Sequence, residues 1–407
     1  MPRAFLVVMD SVGIGGAPDA DQFFNEDRPD TGANTLAHIA QACAAGQDGA
    51  TRGEEGRSGP ISLPTLDALG LGAATRLASG DATPGLDAVP TGFWGAATET
   101  SRGKDTPSGH WELAGLPVPW DWTYFPKATP SFPSDLTARI CALAGTDGIL
   151  GDCHASGTAI IADLGAQHFQ TGFPICYTSA DSVLQIAAHE DLFGLDRLLT
   201  LCRDLAPILH DMKVGRVIAR PFVGNAETGF QRTTNRKDFA IAPPEPILTN
   251  WIQDAGHLVH GVGKIGDIFS MSGIDDCAKG CDADLMKALH NLVDVAADNS
   301  FTFANFVEFD SLYGHRRDIP GYARALEWFD GQIAAFIDKL RPGDLLILTA
   351  DHGNDPSWSG TDHTRERAPV LCAGVGSGQA GLIDFVDVAA TIATHLGVTP
   401  PRGRSFL

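Results

Sequence analysis

Apolar residues in this chain come in short, nearly unbroken runs, among them Phe5-Leu-Val-Val-Met, Phe303-Ala-Asn-Phe-Val-Glu-Phe and Leu345-Leu-Ile-Leu-Thr-Ala. Runs of this length without polar alternation predict strands covered on both faces, as in parallel sheets. Between them, Asn34-Thr-Leu-Ala-His-Ile-Ala-Gln-Ala-Cys has helical spacing, and Ser134-Asp-Leu-Thr-Ala-Arg-Ile-Cys-Ala-Leu predicts a second helix with Ser134 as its cap. The alternation of strands and helices predicts an α/β fold, a mostly parallel sheet with helices on both faces. Two proline-rich stretches, Leu116-Pro-Val-Pro-Trp-Asp-Trp-Thr-Tyr-Phe-Pro and Pro243-Pro-Glu-Pro, read as crossings between domains. They predict a core built from residues 1–120 and 243–407, interrupted by an inserted α/β domain over 121–242. The Gly-rich segment from Gly46 to Pro60 reads as a surface loop, and no internal repeat is visible.

Composition narrows the setting. A chain of 407 residues exceeds what one hydrophobic core normally reaches, which supports two domains. No apolar run is long enough to cross a bilayer. Arg3-Ala-Phe-Leu-Val-Val-Met faintly resembles a signal sequence but runs straight into Asp10 without a cleavage region, and reads better as the first strand. Eight cysteines are scattered rather than arranged as a framework, which predicts reduced thiols and a cytoplasmic protein; Cys277-Ala-Lys-Gly-Cys281 alone is a weak zinc signal. A formal charge of −21 argues against nucleic acid or an anionic membrane as partner. A small phosphorylated substrate remains compatible, because Arg216, Arg220, Arg232, Arg236, Lys237 and Lys264 concentrate positive charge in one stretch.

The three apolar runs lead into Asp10, Asp310 and Asp351, at the carboxyl edge where open parallel sheets place their working residues. Histidines accompany them: His352 follows Asp351, His363 follows Asp362, and His315 lies five residues after Asp310. One such Asp is ordinarily a helix cap and one such His a surface or core residue. Three of each, with two Asp-His pairs close together, fit a metal centre better. Six oxygen and nitrogen ligands can hold two divalent cations, and paired metals clamp the attacking and leaving oxygens of a phosphoryl transfer. A nucleophile is available in Gly103-Lys-Asp-Thr-Pro-Ser-Gly-His-Trp-Glu, where Thr106 precedes a proline at a predicted helix start. On chemistry alone Thr106 is equally an N-cap, and Ser108 is a second hydroxyl within reach.

Several motifs together resemble the phosphopentomutase family of the alkaline phosphatase superfamily, over nearly the whole chain. They are Phe5-Leu-Val-Val-Met-Asp-Ser-Val-Gly-Ile-Gly, Gly103-Lys-Asp-Thr-Pro-Ser-Gly-His-Trp-Glu, Tyr177-Thr-Ser-Ala-Asp-Ser-Val, Gly215-Arg-Val-Ile-Ala-Arg-Pro-Phe, Phe309-Asp-Ser-Leu-Tyr-Gly-His-Arg-Arg-Asp and Thr349-Ala-Asp-His-Gly-Asn-Asp. The resemblance implies an alkaline-phosphatase-like core with an inserted cap domain. It also implies interconversion of ribose 1-phosphate and ribose 5-phosphate, and of the 2-deoxy pair. By that resemblance Asp310, His315 and His363 would hold one ion and Asp10, Asp351 and His352 the other, with manganese the family's usual metal. Thr106 matches the family's phosphoryl carrier, which chooses it over Ser108. Ser179 and Asp181 match the segment that meets the pentose. Arg216 or Arg220, with Arg232 and Lys264, are candidates for the distal phosphate. Priming by a sugar bisphosphate such as glucose 1,6-bisphosphate is implied, and no obligate protein partner is. Two other readings share much of this pattern: a phosphomonoesterase or cofactor-independent phosphoglycerate mutase on the same metal core, and a noncatalytic metal- or sugar-phosphate-binding protein.

Overall fold

The computed structural model describes residues 2–46, 59–179 and 181–407, so the Gly-rich segment read as a loop lies, from 47 to 58, outside the described residues. The chain forms two compact units, one of Met1–Pro119 with Pro243–Leu407 and the other of Trp120–Ala242.

The first unit is built on an eight-stranded sheet in the order Asp276–Ala278, Val259–Val262, Phe301–Phe306, Ala4–Met9, Leu345–Thr349, Ala368–Ala373, Phe93–Thr98, Gly378–Asp384. The first five of these are mutually parallel. Among the described residues only Ala368–Ala373 opposes its neighbours. Ala4–Met9 lies at the centre, and every residue in it, like every residue of its neighbours Phe301–Phe306 and Leu345–Thr349, is buried. That is why these segments read as unbroken apolar runs: helices cover both faces and leave no solvent side to be polar. The covering helices form two groups that pack among themselves, Thr35–Ala44, Pro64–Leu69, Leu71–Ser79, Asp282–Val295 and Ile319–Ile337 in one, and Thr106–Leu113, Leu248–Asp254, Ile265–Ile268 and Phe385–His395 in the other. Helix Thr35–Ala44 starts where its spacing indicates, with the Asn34 side chain accepting the Ala37 N–H at 3.1 Å.

The second unit carries its own mixed sheet, in the order Lys237–Ala240, Arg216–Asn225, Val183–His189, Ile175–Thr178, Leu150–His154. Leu184, Ile186 and Ala188 alternate to one face and pack with Leu136, Ile140, Leu198, Leu201 and Leu205 from helices Ser134–Ala144 and Leu195–Asp211. Ala187, Tyr177 and Phe222 face the other way, against Ile160 and Ile161 of helix Gly157–Thr171. Ser134 is not the cap expected of it. Pro133, with φ −58° and ψ 143°, occupies that position, and Ser134 is already the first helical residue with no capping bond. A proline ring fixes φ near this value, so the extended-to-helical turn falls one residue earlier than the serine suggests.

All eight cysteines are free thiols. Among the described residues no helix is long and apolar enough to cross a membrane. The arginine that made the N-terminus resemble a signal sequence is fully buried: Arg3 donates to Asp344 at 2.5 and 3.0 Å and to the Val293 carbonyl at 2.8 Å. Removing one partner of a buried pair leaves an uncompensated charge. Arg3→Met is therefore expected to cost about 3 to 5 kcal/mol in urea unfolding, and Arg3→Met combined with Asp344→Leu to recover most of it. A double variant no more stable than the single one would contradict this account.

Candidate active site

The site begins with strand register. Val8 lies opposite Thr349 and Met9 opposite Phe306, so continuing the pairing sets Asp10 level with Asp351 at the carboxyl edge. Ser11, at φ +67°, turns the chain away there. Its N–H donates to Asp351 Oδ1 at 3.1 Å, and its hydroxyl meets the Tyr322 hydroxyl at 2.9 Å. Asp310 is placed differently from the sequence expectation. Its strand ends at Phe306, and Asp310 sits in a wide helical turn over Phe309–Gly314. Glu308 is already helical, and its N–H is taken by Asp282 Oδ2 at 3.2 Å instead of by a neighbouring strand. Asn354 Nδ2 then holds Asp310 Oδ1 at 2.7 Å.

Each of the three histidines has Nδ1 against a backbone carbonyl: His315 on Thr361 at 2.6 Å, His363 on Lys104 at 2.8 Å and His352 on Gly353 at 3.1 Å. A carbonyl only accepts, so Nδ1 carries the proton and the Nε2 lone pair is the group turned inward, the tautomer that suits a metal ligand. His315 Nε2 lies 3.1 Å from Asp310 Oδ2 and His363 Nε2 3.4 Å from Asp310 Oδ1. His352 Nε2 lies 3.2 Å from Asp351 Oδ2 and 3.7 Å from Asp10 Oδ1. The Nε2 atoms of His315 and His363 face each other at 3.2 Å, an approach of two lone pairs that calls for a cation between them.

Electrostatics points the same way for Asp10 and His352, whereas His315 is raised, burial lowering it but the Asp310 carboxylate outweighing that. Burial pushes the Asp10 carboxyl well above its ordinary range, reinforced by Asp351 and Asp310. Burial also pushes His352 down to about 4, so the ring is neutral near pH 7 with its lone pair available. Two buried carboxylate oxygens, Asp10 Oδ1 and Asp351 Oδ2, have no hydrogen-bond donor. Unpaired buried carboxylates are costly, and a divalent cation satisfies oxygen and imidazole donors together. Within the first unit, two sets of three among the described residues have ligand atoms within 4.8 Å of one another: Asp310, His315 and His363, and Asp10, Asp310 and His352. Asp310 is shared, while Asp351 adjoins the second set through His352. The donors therefore fit a divalent metal.

Thr106 is the first residue of helix Thr106–Leu113 and not its cap. Asp105 caps, its Oδ1 accepting both the Ser108 N–H and the Ser108 hydroxyl at 3.1 Å. The two candidate hydroxyls are thereby separated: Ser108 is buried and turned back to the cap, whereas Thr106 Oγ1 lies 3.3 Å from His352 Nε2. The preceding loop is fixed by buried Arg365, which donates to the Gly103 carbonyl at 2.6 Å, and by Lys104, whose ammonium meets Asp30 at 3.0 Å.

The cations that form one stretch in the sequence are divided by the fold. Lys264 belongs to the first unit, where it lies near enough to Asp10 and Asp282 to favour their charged forms. Arg216, Arg220, Arg232, Arg236 and Lys237 belong to the second. There Arg216 pairs with Asp181 at 2.8 Å and lies 3.7 Å from Asp238, which Arg236 also holds at 2.7 Å. Arg220 donates to Gln185 at 3.0 Å, and Gln185 in turn donates to the Ser179 hydroxyl at 3.2 Å. Arg232 is exposed. Burial, then nearby Arg236, lowers Arg220 to about 10, so these guanidiniums already repel one another and favour an anion.

Residues that sequence reasoning missed are Asn305, Asn354 and His110. Asn305 donates to Asp10 Oδ2 at 2.8 Å, and a lone amide inside the apolar run Phe303-Ala-Asn-Phe was its signal. Asn354 lies three residues after Asp351, and His110 one helical turn after Thr106.

A family model described as the metalloenzyme superfamily matches residues 2–400. A phosphopentomutase from Allorhizobium ampelinum is 54% identical over 418 residues, covering all of both chains. One from Chelativorans sp. strain BNC1 is 54% identical over 412 residues, covering all of this chain and 98% of its own. The chain belongs to the phosphopentomutase family. Phosphopentomutases are metal-dependent isomerases of small phosphosugars, within the alkaline phosphatase superfamily. Among solved structures, a Pyrococcus horikoshii protein aligns over 99% of this chain and 98% of its own at a TM-score of 0.47 and 13% identity.

Contact between the Thr106 helix and the ligand edge is tight enough to test. A Cβ on Gly109 would lie 2.1 Å from the Asp351 carbonyl oxygen, a backbone atom that cannot swing aside. Gly109→Ala is expected to push the helix outward and lower turnover by about 100-fold, since a displacement near 1 Å costs that much. Steady-state kinetics checks it, and near-normal turnover would show that the helix is not docked as described.

Proposed function

We propose that this protein interconverts α-D-ribose 1-phosphate and D-ribose 5-phosphate, and the 2-deoxyribose pair, through a phosphothreonine at Thr106 and a sugar bisphosphate. The observation that carries the reading is the Thr106 hydroxyl 3.3 Å from His352 Nε2, at the edge of the Asp and His set, while Ser108 is engaged in the cap. Asp310, His315 and His363 would hold one ion and Asp10, Asp351 and His352 the other, with Asp310 near enough to both to be shared. Two divalent ions bound there, manganese by family resemblance, would offset the charge that builds on the transferring oxygens.

The protein's own residues do the rest. The phosphoryl group passes from Thr106 Oγ to the free hydroxyl of a sugar monophosphate; that hydroxyl loses its proton as the P–O bond forms, and Thr106 regains one as its bond breaks. The resulting bisphosphate reorients and returns its other phosphoryl group to Thr106, so the cycle balances in protons and phosphoryl groups. A bisphosphate such as glucose 1,6-bisphosphate would prime the threonine. Transfer must outrun hydrolysis, which requires water to be excluded, and we assign that role to the inserted domain over 121–242. Within it Asp181 and Ser179 suit pentose hydroxyls. The guanidiniums of Arg216 or Arg220, with Arg232, suit a phosphate, as does Lys264 of the core. Arg216, paired directly with Asp181, would meet the same ligand as that carboxylate. A cytoplasmic location with no obligate protein partner completes the reading.

Thr106→Ala is expected to abolish mutase turnover and leave bound metal unchanged, because no carboxylate or imidazole is lost, whereas Ser108→Ala should keep most activity. Phosphopeptide mapping after priming should find the group on Thr106. A phosphoryl group on Ser108 would overturn the assignment.

Substrate choice separates this reading from a phosphoglycerate mutase on the same metal core. Ribose 5-phosphate, 2-deoxyribose 5-phosphate and 3-phosphoglycerate are offered under identical priming. Buried polar partners left unmet by the wrong substrate cost far more than apolar contacts, so the pentoses should win by at least about 100-fold. Asp181→Ala should lower pentose turnover without lowering metal content. Equal or faster turnover of the glycerate would reverse the choice.

A further inference from the structure

We propose that His110 is a positioning residue of the phosphoryl transfer, setting the Thr106 hydroxyl against the ligand set through one imidazole; this rests on the reading of Thr106 as phosphoryl carrier. His110 is fully buried on the same helix as Thr106, one turn further along. Its Nδ1 lies 3.0 Å from the Thr106 carbonyl oxygen, its aligned hydrogen-bond partner, and also 3.0 Å from Asp351 Oδ2. Its Nε2 lies 3.1 Å from Asn305 Nδ2, the amide nitrogen that donates to Asp10 Oδ2 at 2.8 Å.

The hydrogens follow from these partners. Both neighbours of Nδ1 are acceptors, so Nδ1 carries the proton, and Nε2 accepts. The Asn305 amide has two N–H groups and spends one on His110 and one on Asp10, which leaves Asn305 Oδ1 as the buried atom without a partner. One ring thus ties the peptide of the nucleophile to Asp10 through Asn305 and lies close against Asp351. It cannot pivot: Phe303 stacks on it at 6.0 Å between centroids and Phe269 meets its edge at 6.5 Å. Pinning the Thr106 carbonyl fixes the backbone of a residue whose amino side is already held by the Asp105 cap and whose carboxyl side is held by Pro107, so the Cα–Cβ bond that carries the hydroxyl is held in one direction. His110 touches neither sugar nor phosphate in this account; it acts through Thr106.

The two nitrogens can be separated by substitution. In His110→Asn the amide nitrogen replaces Nδ1 and keeps the donor to Thr106 while losing Asn305. In His110→Gln the amide oxygen replaces Nε2 and keeps Asn305 while losing the donor to Thr106. The holoenzyme is assayed for kcat and KM with ribose 5-phosphate, for phosphate on residue 106 after glucose 1,6-bisphosphate, for manganese content and for urea midpoint, with Thr106→Ala as control. The expected result is a kcat about 100-fold lower for His110→Gln, with KM within about threefold of wild type. His110→Asn should stay within about tenfold of wild-type kcat, and both variants should keep wild-type manganese. Equal losses in the two variants, a loss confined to KM, wild-type kcat in His110→Gln, or a shared collapse of the urea midpoint would each make His110 merely structural and overturn the proposal. The control keeps the failures apart. A normally active Thr106→Ala would remove the phosphothreonine reading itself, whereas an inactive one beside indistinguishable His110 variants would remove only the role of His110.

Discussion

Parallel pairing of Ala4–Met9 with Leu345–Thr349 brings Asp10 and Asp351 to one height at the end of two fully buried strands, and Asp310 comes close beside them. Three carboxylates out of water repel one another and have lost hydration, a combination that favours either protonation or cations nearby. Much of the surrounding architecture answers that constraint. Asn305, Asn354 and the Ser11 N–H each donate to one carboxylate, and three imidazoles turn their unprotonated nitrogens toward the same space. Donors from three neutral groups are too few to neutralise the charge, and the oxygens left over are the ones that suit metal ions.

A fourth buried carboxylate shows the other way to meet the same cost. Glu366 accepts from the Gly15 N–H at 3.1 Å, the Thr35 N–H at 2.9 Å, the Thr35 hydroxyl at 2.8 Å and the Thr364 hydroxyl at 2.6 Å. Burial, with Asp355 nearby, still raises it to about 7. Fully bonded within the protein, it serves as a clamp and not as a ligand. It joins the loop after Asp10, the start of the Thr35–Ala44 helix and the segment around His363. Gly13 and Gly353 lack side chains where a Cβ would stand 2.3 Å from a Glu366 oxygen, so the turns that follow Asp10 and His352 close directly on the carboxylate.

The second unit follows a different electrostatic plan. Its cations are concentrated, with Asp181, Arg216, Asp238 and Arg236 in one chain of contacts and Ser179, Gln185 and Arg220 in another. In a protein of net charge −21 such a cluster is a local exception, and local charge, not the total, governs what a phosphorylated ligand meets. The unit has a core of its own on both faces of its sheet, so these side chains stand on a rigid platform.

By itself the sequence determined the parallel α/β core, because strands buried on both faces cannot hide their apolar composition, and it singled out the Asp and His residues, because three of each beside such runs fit caps and core positions poorly as a set. It also placed Thr106 near a helix start, since Pro107 favours the first turn. What only tertiary structure decided was contact between residues far apart in the chain. Asp105 capping is local and engages Ser108, but what set Thr106 apart was its approach to His352, 246 positions away. Asp310 moved from a strand end into a helical turn because Asp282 takes the Glu308 N–H. One basic stretch in the sequence became two groups in different units, since linear proximity says nothing about which side of a domain boundary a residue joins. His110 and Asn305 acquired their partners from residues 195 and 295 positions away, and a histidine in a helix or an amide in a strand has no meaning until register and packing supply those neighbours.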